Sequence, residues 1–170
     1  MRRAARNKPT DYLTGIGYDV HPLVVGRKLV LGGVKIPYEK GLKGHSDADV
    51  LLHAIMDAVL GSVGKGDIGE HFPDTDRKYK GIKSLRLLND VRKLVEKAGF
   101  KVVNVDCVLL AEEPKIKPYK KEMCRNIAKA LNMDVDRVNV KATTNEGLGF
   151  VGRKEGMVAY ATALLRSAVN

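Results

Sequence analysis

The stretch Gly44-His45-Ser46-Asp47-Ala48-Asp49-Val50-Leu51-Leu52-His53-Ala54-Ile55-Met56-Asp57-Ala58-Val59-Leu60-Gly61 is apolar along most of its length and carries one polar seam. At about 100° per residue, Leu51, Ala54, Ile55, Ala58 and Val59 form a core-facing stripe, while Asp49, His53 and Asp57 recur at i, i+4 and i+8. The spacing predicts a helix from His45 to Leu60, with Ser46 or Asp47 as N-cap. Leu52, Met56 and Leu60 flank the seam, so His53 is expected where water is scarce and an unpartnered polar group costs on the order of 1 to 3 kcal/mol. Two readings stay open. His53 is either a buried imidazole bonded to Asp49 or Asp57, or a metal ligand whose other ring nitrogen is held by a second carboxylate.

Upstream, the chain alternates from Thr14. Ile16, Tyr18 and Val20 point one way, and Gly15, Gly17, Asp19 and His21 the other. A strand with this pleat sets Asp19 and His21 on one face about 7 Å apart, and the two glycines are expected to leave that face open to a ligand. Lys28 to Ile36 reads as one further strand, bent at Gly32-Gly33 and closed by Pro37.

Downstream, glycines and acids crowd the run from Gly61 to Asp76, which reads as a functional loop. Ser84 is expected to cap a helix with the stripe Leu87, Leu88, Val91, Leu94, Val95 and Ala98, ended by Gly99. A strand over Lys101–Ala111 faces Val103, Val105, Cys107 and Leu109 inward. After a turn at Glu112-Glu113-Pro114-Lys115 comes a helix with Pro118 in its first turn and Tyr119, Met123, Ile127, Ala130 and Leu131 inward. Arg137–Thr144 alternates again, with Val138, Val140 and Ala142 inward, and leads into the glycine-rich loop Asn145–Arg153. Met157–Leu165 is apolar on both faces, so periodicity cannot separate helix from strand.

Length and composition narrow the class. The chain has 170 residues, enough for one domain with a real core, with 44% apolar and 29% charged residues. No apolar run nears the roughly 18 residues that span a bilayer, so no membrane partner is expected. Residues 1–13 read as a basic, solvated tail. Cys107 and Cys124 form no Cys-x-x-Cys pair and read as small buried hydrophobes. The net charge of +10 favours anionic partners, whether nucleic acid, acidic lipid or phosphorylated small molecules.

Asp19, His21 and His53 offer one carboxylate and two imidazoles, the donor set of a catalytic zinc site with one position left open. Together with His45-Ser46-Asp47-Ala48-Asp49, Gly66-Asp67-Ile68-Gly69, Phe72-Pro73-Asp74-Thr75-Asp76, Ala111–Lys115 and Lys141–Arg153, the segment Gly17–His21 resembles the 2-C-methyl-D-erythritol 2,4-cyclodiphosphate synthase family, in order and spacing, from about Thr14 to the C-terminus.

The resemblance implies a single α/β (α+β) domain with a mixed sheet and helices on one face, a last segment that is a strand, and a homotrimer with active sites between subunits. It implies zinc on Asp19, His21 and His53, and magnesium or manganese on Glu146. His45 and Thr144 take transition-state stabilising roles. Substrate contacts fall on Asp19, Val20, His21, His45 and Ser46; on Asp67, Ile68 and Gly69; and on Phe72, Pro73, Asp74, Thr75 and Asp76. The cytidine nucleotide falls to Ala111, Glu112, Glu113, Pro114, Lys115, Ile116 and Lys117 with Ala142, Thr143 and Thr144; Asn145, Phe150 and Arg153 complete the set, the last two near the trimer axis.

The implied substrate is 4-diphosphocytidyl-2-C-methyl-D-erythritol 2-phosphate. Its phosphate nucleophile is already anionic, so positioning and charge neutralisation suffice, and the basic balance suits three phosphoryl groups. The implied setting is non-mevalonate isoprenoid precursor synthesis in a bacterial cytoplasm, or a plastid if a transit peptide has been removed. Two rivals are a nucleic-acid-binding module and a zinc hydrolase using Glu146 or Asp67 as base. Aromatic residues at 5% and dispersed lysines and arginines weigh against the former, so no nucleic-acid partner is expected.

Overall fold

The computed structural model describes residues 11–168. In chain order the elements are β1 (Tyr12–Val25), β2 (Leu29–Leu31), β3 (Val34–Ile36), β4 (Lys40–Leu42), α1 (Val50–Ser62), α2 (Ile68–His71), α3 (Ser84–Lys97), β5 (Phe100–Leu110), α4 (Lys120–Leu131), β6 (Val138–Thr143), α5 (Gly149–Gly152) and β7 (Gly156–Ser167). Five strands form a sheet in the order β4-β1-β7-β5-β6. β1 and β5 run antiparallel to the central β7, and β6 runs parallel to β5, so β1, β5 and β6 all end at one edge of the sheet. This is the single α+β domain with a mixed sheet expected above, with its core between the sheet and α1, α3 and α4.

The apolar segment of unreadable period is strand β7. It has a neighbour on each side, and its Met157, Ala159, Ala161, Ala163 and Leu165 meet the helices. β1 begins at Tyr12 rather than Thr14, so Tyr12 and Leu13 belong to the sheet and not to a tail. Asp11 and Ser167 exchange hydrogen bonds there. The basic residues 1–10 lie outside the described residues.

The glycine face of β1 is closed, correcting the expectation that a ligand approaches along it. The backbone of α1 lies directly on it: a Cβ at Gly15 would come within 2.0 Å of the Ala58 carbonyl oxygen, and one at Gly17 within 1.9 Å of that of Ala54. Only the Asp19–His21 end stays accessible. α1 starts at Val50, later than expected, and its N-cap is Asp49 rather than Ser46 or Asp47. It is buried on nearly every side, not along one stripe.

Lys28–Ile36 is a hairpin rather than one bent strand. Gly32 and Gly33 have φ of +56° and +73°, the left-handed pair that a tight two-residue turn demands. Both turn N–H groups donate to Asp49, which also accepts from Leu52. Burial pushes the Asp49 carboxyl up to about 6, against the pull of these N–H groups. In β5 the register shifts at Val103, so Val102 packs on the core in its place. Ser84 is the first residue of α3 rather than its cap. Pro118 lies in a separate 3₁₀ turn, Lys117–Tyr119, ahead of α4. The segment 61–76 is partly ordered by α2, and β4 pairs with the end of β1 as an edge strand. No helix among the described residues is long and apolar enough to cross a membrane.

Candidate metal centre and substrate clefts

β1 delivers Asp19 and His21 from the sheet, and the first turn of α1 delivers His53. Their donor atoms converge. Asp19 Oδ2 lies 2.9 Å from His21 Nε2 and 3.0 Å from His53 Nδ1, and the two ring nitrogens are 3.1 Å apart. This is the one group of three or more His, Cys, Asp or Glu side chains among the described residues that could hold a metal ion. Three donors facing one point at this spacing fit a small cation with bonds of about 2.0–2.2 Å. His21 Nδ1–H donates to the Lys43 carbonyl at 2.8 Å, which turns the Nε2 lone pair toward the centre. Burial opposes both charges here but is outweighed: the two imidazoles beside it hold the Asp19 carboxyl well below the usual range, and the adjoining Asp19 carboxylate raises the His21 pKa.

Neither carboxylate of the helical seam partners His53. Asp49 serves the hairpin, and Asp57 accepts from the Ile68 backbone at 2.8 Å. Burial raises the Asp57 pKa against that bond. The second His53 nitrogen, Nε2, meets two hydroxyls instead, Ser84 Oγ at 3.1 Å and Ser46 Oγ at 3.3 Å.

The triad opens into a cavity of about 530 Å³ lined by Gly44, His45, Ser46, Ile68, Gly69, Phe72, Pro73, Asp74 and Thr75, with Tyr79 and Leu87. Backbone bonds from Gly81 to His45 and from Asp47 to Ile82 pin its wall. His45 Nε2 is buried with no hydrogen-bond partner, a costly state that a polar ligand would relieve. Asp67 and Asp76 are turned to capping, Asp67 at α2 and Asp76 at the turn Arg77–Tyr79, and do not line the cavity. Val20 lies on the opposite sheet face, 40% exposed.

A second cleft, of about 390 Å³, is lined by Ala111, Glu112, Pro114, Lys115, Ile116, Lys117, Lys120, Ala142, Thr143 and Thr144. It shares no residue with the first. Asp19, Ala159, Leu109 and Ala142 form one row across the sheet, so the two clefts stand about 14 Å apart at three strand spacings of ~4.8 Å. Ala142, expected inward, is exposed in this cleft. Glu112 accepts from the Asn145 and Gly147 N–H groups, and Thr144 Oγ1 donates to Glu146 at 2.7 Å. Glu113 instead pairs with Lys154, Arg153 with Glu155, and Phe150 is 40% exposed.

Tyr79, Leu87, Ser84 and Asp47 were not legible as parts of this site, because each reaches it through a contact distant in sequence. The signal available for Ser84 was its position at a helix start.

A sequence profile of the YgbB family matches residues 12–166. The chain is 64% identical over 151 residues to 2-C-methyl-D-erythritol 2,4-cyclodiphosphate synthase of Chloroherpeton thalassium, covering 89% of this chain and 96% of that one. Among solved structures, bifunctional IspDF from Campylobacter jejuni superposes with a TM-score of 0.90 at 47% identity; the match covers 94% of this chain but 43% of that longer one. The CDP complex of IspF from Plasmodium falciparum superposes with a TM-score of 0.81 at 36% identity, covering 92% and 96%. Matched from strand β1 through strand β7, and over nearly the whole length of its curated relatives, the chain belongs to the YgbB family, the 2-C-methyl-D-erythritol 2,4-cyclodiphosphate synthases.

Proposed function

We propose that the chain converts 4-diphosphocytidyl-2-C-methyl-D-erythritol 2-phosphate to 2-C-methyl-D-erythritol 2,4-cyclodiphosphate and CMP, in non-mevalonate isoprenoid precursor synthesis in the cytoplasm. The observation that carries the reading is the convergence of Asp19, His21 and His53 at the floor of a cavity, in a chain whose relatives bear that enzyme's name. An oxygen of the 2-phosphate attacks the β-phosphorus, the β–α bridging bond breaks, and CMP leaves with the electron pair.

Asp19, His21 and His53 would hold zinc, and Glu146 would offer one carboxylate to magnesium or manganese shared with the diphosphate. A divalent ion bound there supplies charge neutralisation to the transferring phosphoryl group. His45, with its unpartnered Nε2, and Ser46 orient the methylerythritol phosphate. Ile68, Gly69 and Phe72–Thr75 enclose that portion. Lys115, Lys117 and Thr144 take the cytidine diphosphate portion, in line with the CDP named for the Plasmodium falciparum relative. Purified protein given substrate and divalent ion should release CMP and cyclic diphosphate in equal amounts. An unchanged substrate pool would end the proposal.

The two clefts belong to one reaction if they meet across chains. The sheet face away from the helices bares Ile16 (72% exposed), Tyr18 (48%) and Tyr160 (42%), a large apolar surface of the kind that marks an interface. We assign it to a homotrimer in which the triad cleft of one chain faces the Lys115 cleft of its neighbour. His53→Ala and Lys115→Ala, each inactive alone, should complement when co-expressed. Random mixing leaves roughly a quarter of the interfaces with two intact halves, so about that fraction of parental turnover is expected. No recovery in mixed assemblies would show that each chain works alone.

A further inference from the structure

His53 reaches the triad with Nδ1, and the state of that nitrogen is decided at the other side of the ring. The protons can be traced from Asp47. An ionised carboxylate only accepts hydrogen bonds, and Asp47 holds Ser84 twice: Oδ1 lies 2.5 Å from Ser84 Oγ, and both carboxylate oxygens lie 3.2 Å from the Ser84 backbone nitrogen. The Ser84 hydroxyl proton is therefore committed to Asp47. What Ser84 Oγ presents to His53 Nε2, 3.1 Å away, is a lone pair. Nε2 must carry the ring proton, and Nδ1 is left bare toward Asp19 Oδ2 and His21 Nε2. Ser46 Oγ, at 3.3 Å, accepts from the Ala48 N–H and is a secondary partner.

We propose that Ser84 and Asp47 are positioning residues that act through His53, a carboxylate–hydroxyl–imidazole relay that locks the ring in the tautomer and tilt a metal ion requires. The inference rests on reading Asp19, His21 and His53 as the metal centre. Neither residue lines the triad cavity: Ser84 is fully buried, and Asp47 lines a separate cleft with Arg27 and Lys83. Their effect must pass through the ligand. His21 receives the matching service from the Lys43 carbonyl, so each imidazole is oriented by its own acceptor. Partners of this kind are worth about 10- to 100-fold in metal affinity.

The test is zinc affinity by chelator competition on the full chain, with the visible spectrum of the cobalt(II) form as a report on ligand geometry. Ser84→Ala should lose about 10- to 100-fold in zinc affinity and shift the cobalt bands, whereas Ser84→Thr, which keeps the hydroxyl, should recover most of both. Asp47→Ala should approach the Ser84→Ala value, since the hydroxyl is then free to turn. A purely structural role would lower the unfolding temperature and leave affinity and spectrum alone. Where alanine does not fold, Ser84→Cys carries the same expectation at similar volume. Zinc binding by Ser84→Ala within twofold of the parent overturns the relay, while a parent that binds no zinc overturns the metal-centre reading itself.

Discussion

His53→Ala is expected to abolish stable metal binding and to cut CMP release by about three orders of magnitude or more, some 4 kcal/mol in the barrier. Of the three converging donors, His53 alone comes from α1, and it lies within about 3 Å of both others. Its loss leaves two ligands on one strand, with nothing of the right length nearby to replace it, since Asp49 and Asp57 are committed to backbone N–H groups. The fold should tolerate the change. Alanine is the best helix former, and the imidazole's remaining partners are two hydroxyls that can bond to each other across 3.5 Å. Elemental analysis after dialysis against zinc, paired with an assay of CMP, checks both halves. A variant that keeps one equivalent of zinc and most of its turnover would mean that the triad is a hydrogen-bonded cluster and the ion sits elsewhere.

The contrast between ligands and supports explains how much of this protein could be read from its residues. The pleat of Gly15–His21 aligned Asp19 with His21, and helical spacing singled out His53, because local periodicity fixes which side chains share a face. It does not say what the face meets. Gly15 and Gly17 read as clearance for a ligand, yet they are clearance for a helix backbone, and the apolar Ile16 and Tyr18 point away from the core. In β1 hydrophobicity marks the side proposed for a partner chain, while the intramolecular contact is made by residues with almost no side chain. Asp49 was equally ambiguous. On a helical wheel it joins the His53 seam, but as an N-cap outside the helix it turns to Gly32 and Gly33. Ser84 and Asp47 meet across 37 positions of sequence, a distance no periodicity spans. Val103 fell out of its face through a bulge, which turns Val102 inward in its place while Val105, Cys107 and Leu109 keep the expected face.

Gly17→Ala follows from the same packing and should be among the most damaging single-methyl changes in the chain. The added Cβ would lie 1.9 Å from the Ala54 carbonyl oxygen and 2.8 Å from the Ala58 nitrogen. Both are backbone atoms of α1, so no rotamer change relieves the clash, and helix and strand must separate by more than an ångström. Overpacking of a core commonly costs about 1–3 kcal/mol and more where backbone must move. A loss of about 3 kcal/mol would lower the unfolding temperature by roughly 10 °C in a chain of this size. The same displacement carries His53 off Asp19, because His53 adjoins Ala54 on the moving helix. Zinc affinity should therefore fall with stability even though no ligand has been touched. Gly61→Ala is the control: it lies on the same helix, its Cβ meets nothing within 4 Å, and it should raise stability by about 0.5–1 kcal/mol with zinc affinity unchanged. A Gly17→Ala protein with parental unfolding temperature and zinc affinity would show that α1 does not ride on the bare backbone of β1, and the account of how the strand and helix bring the three ligands together would have to be abandoned.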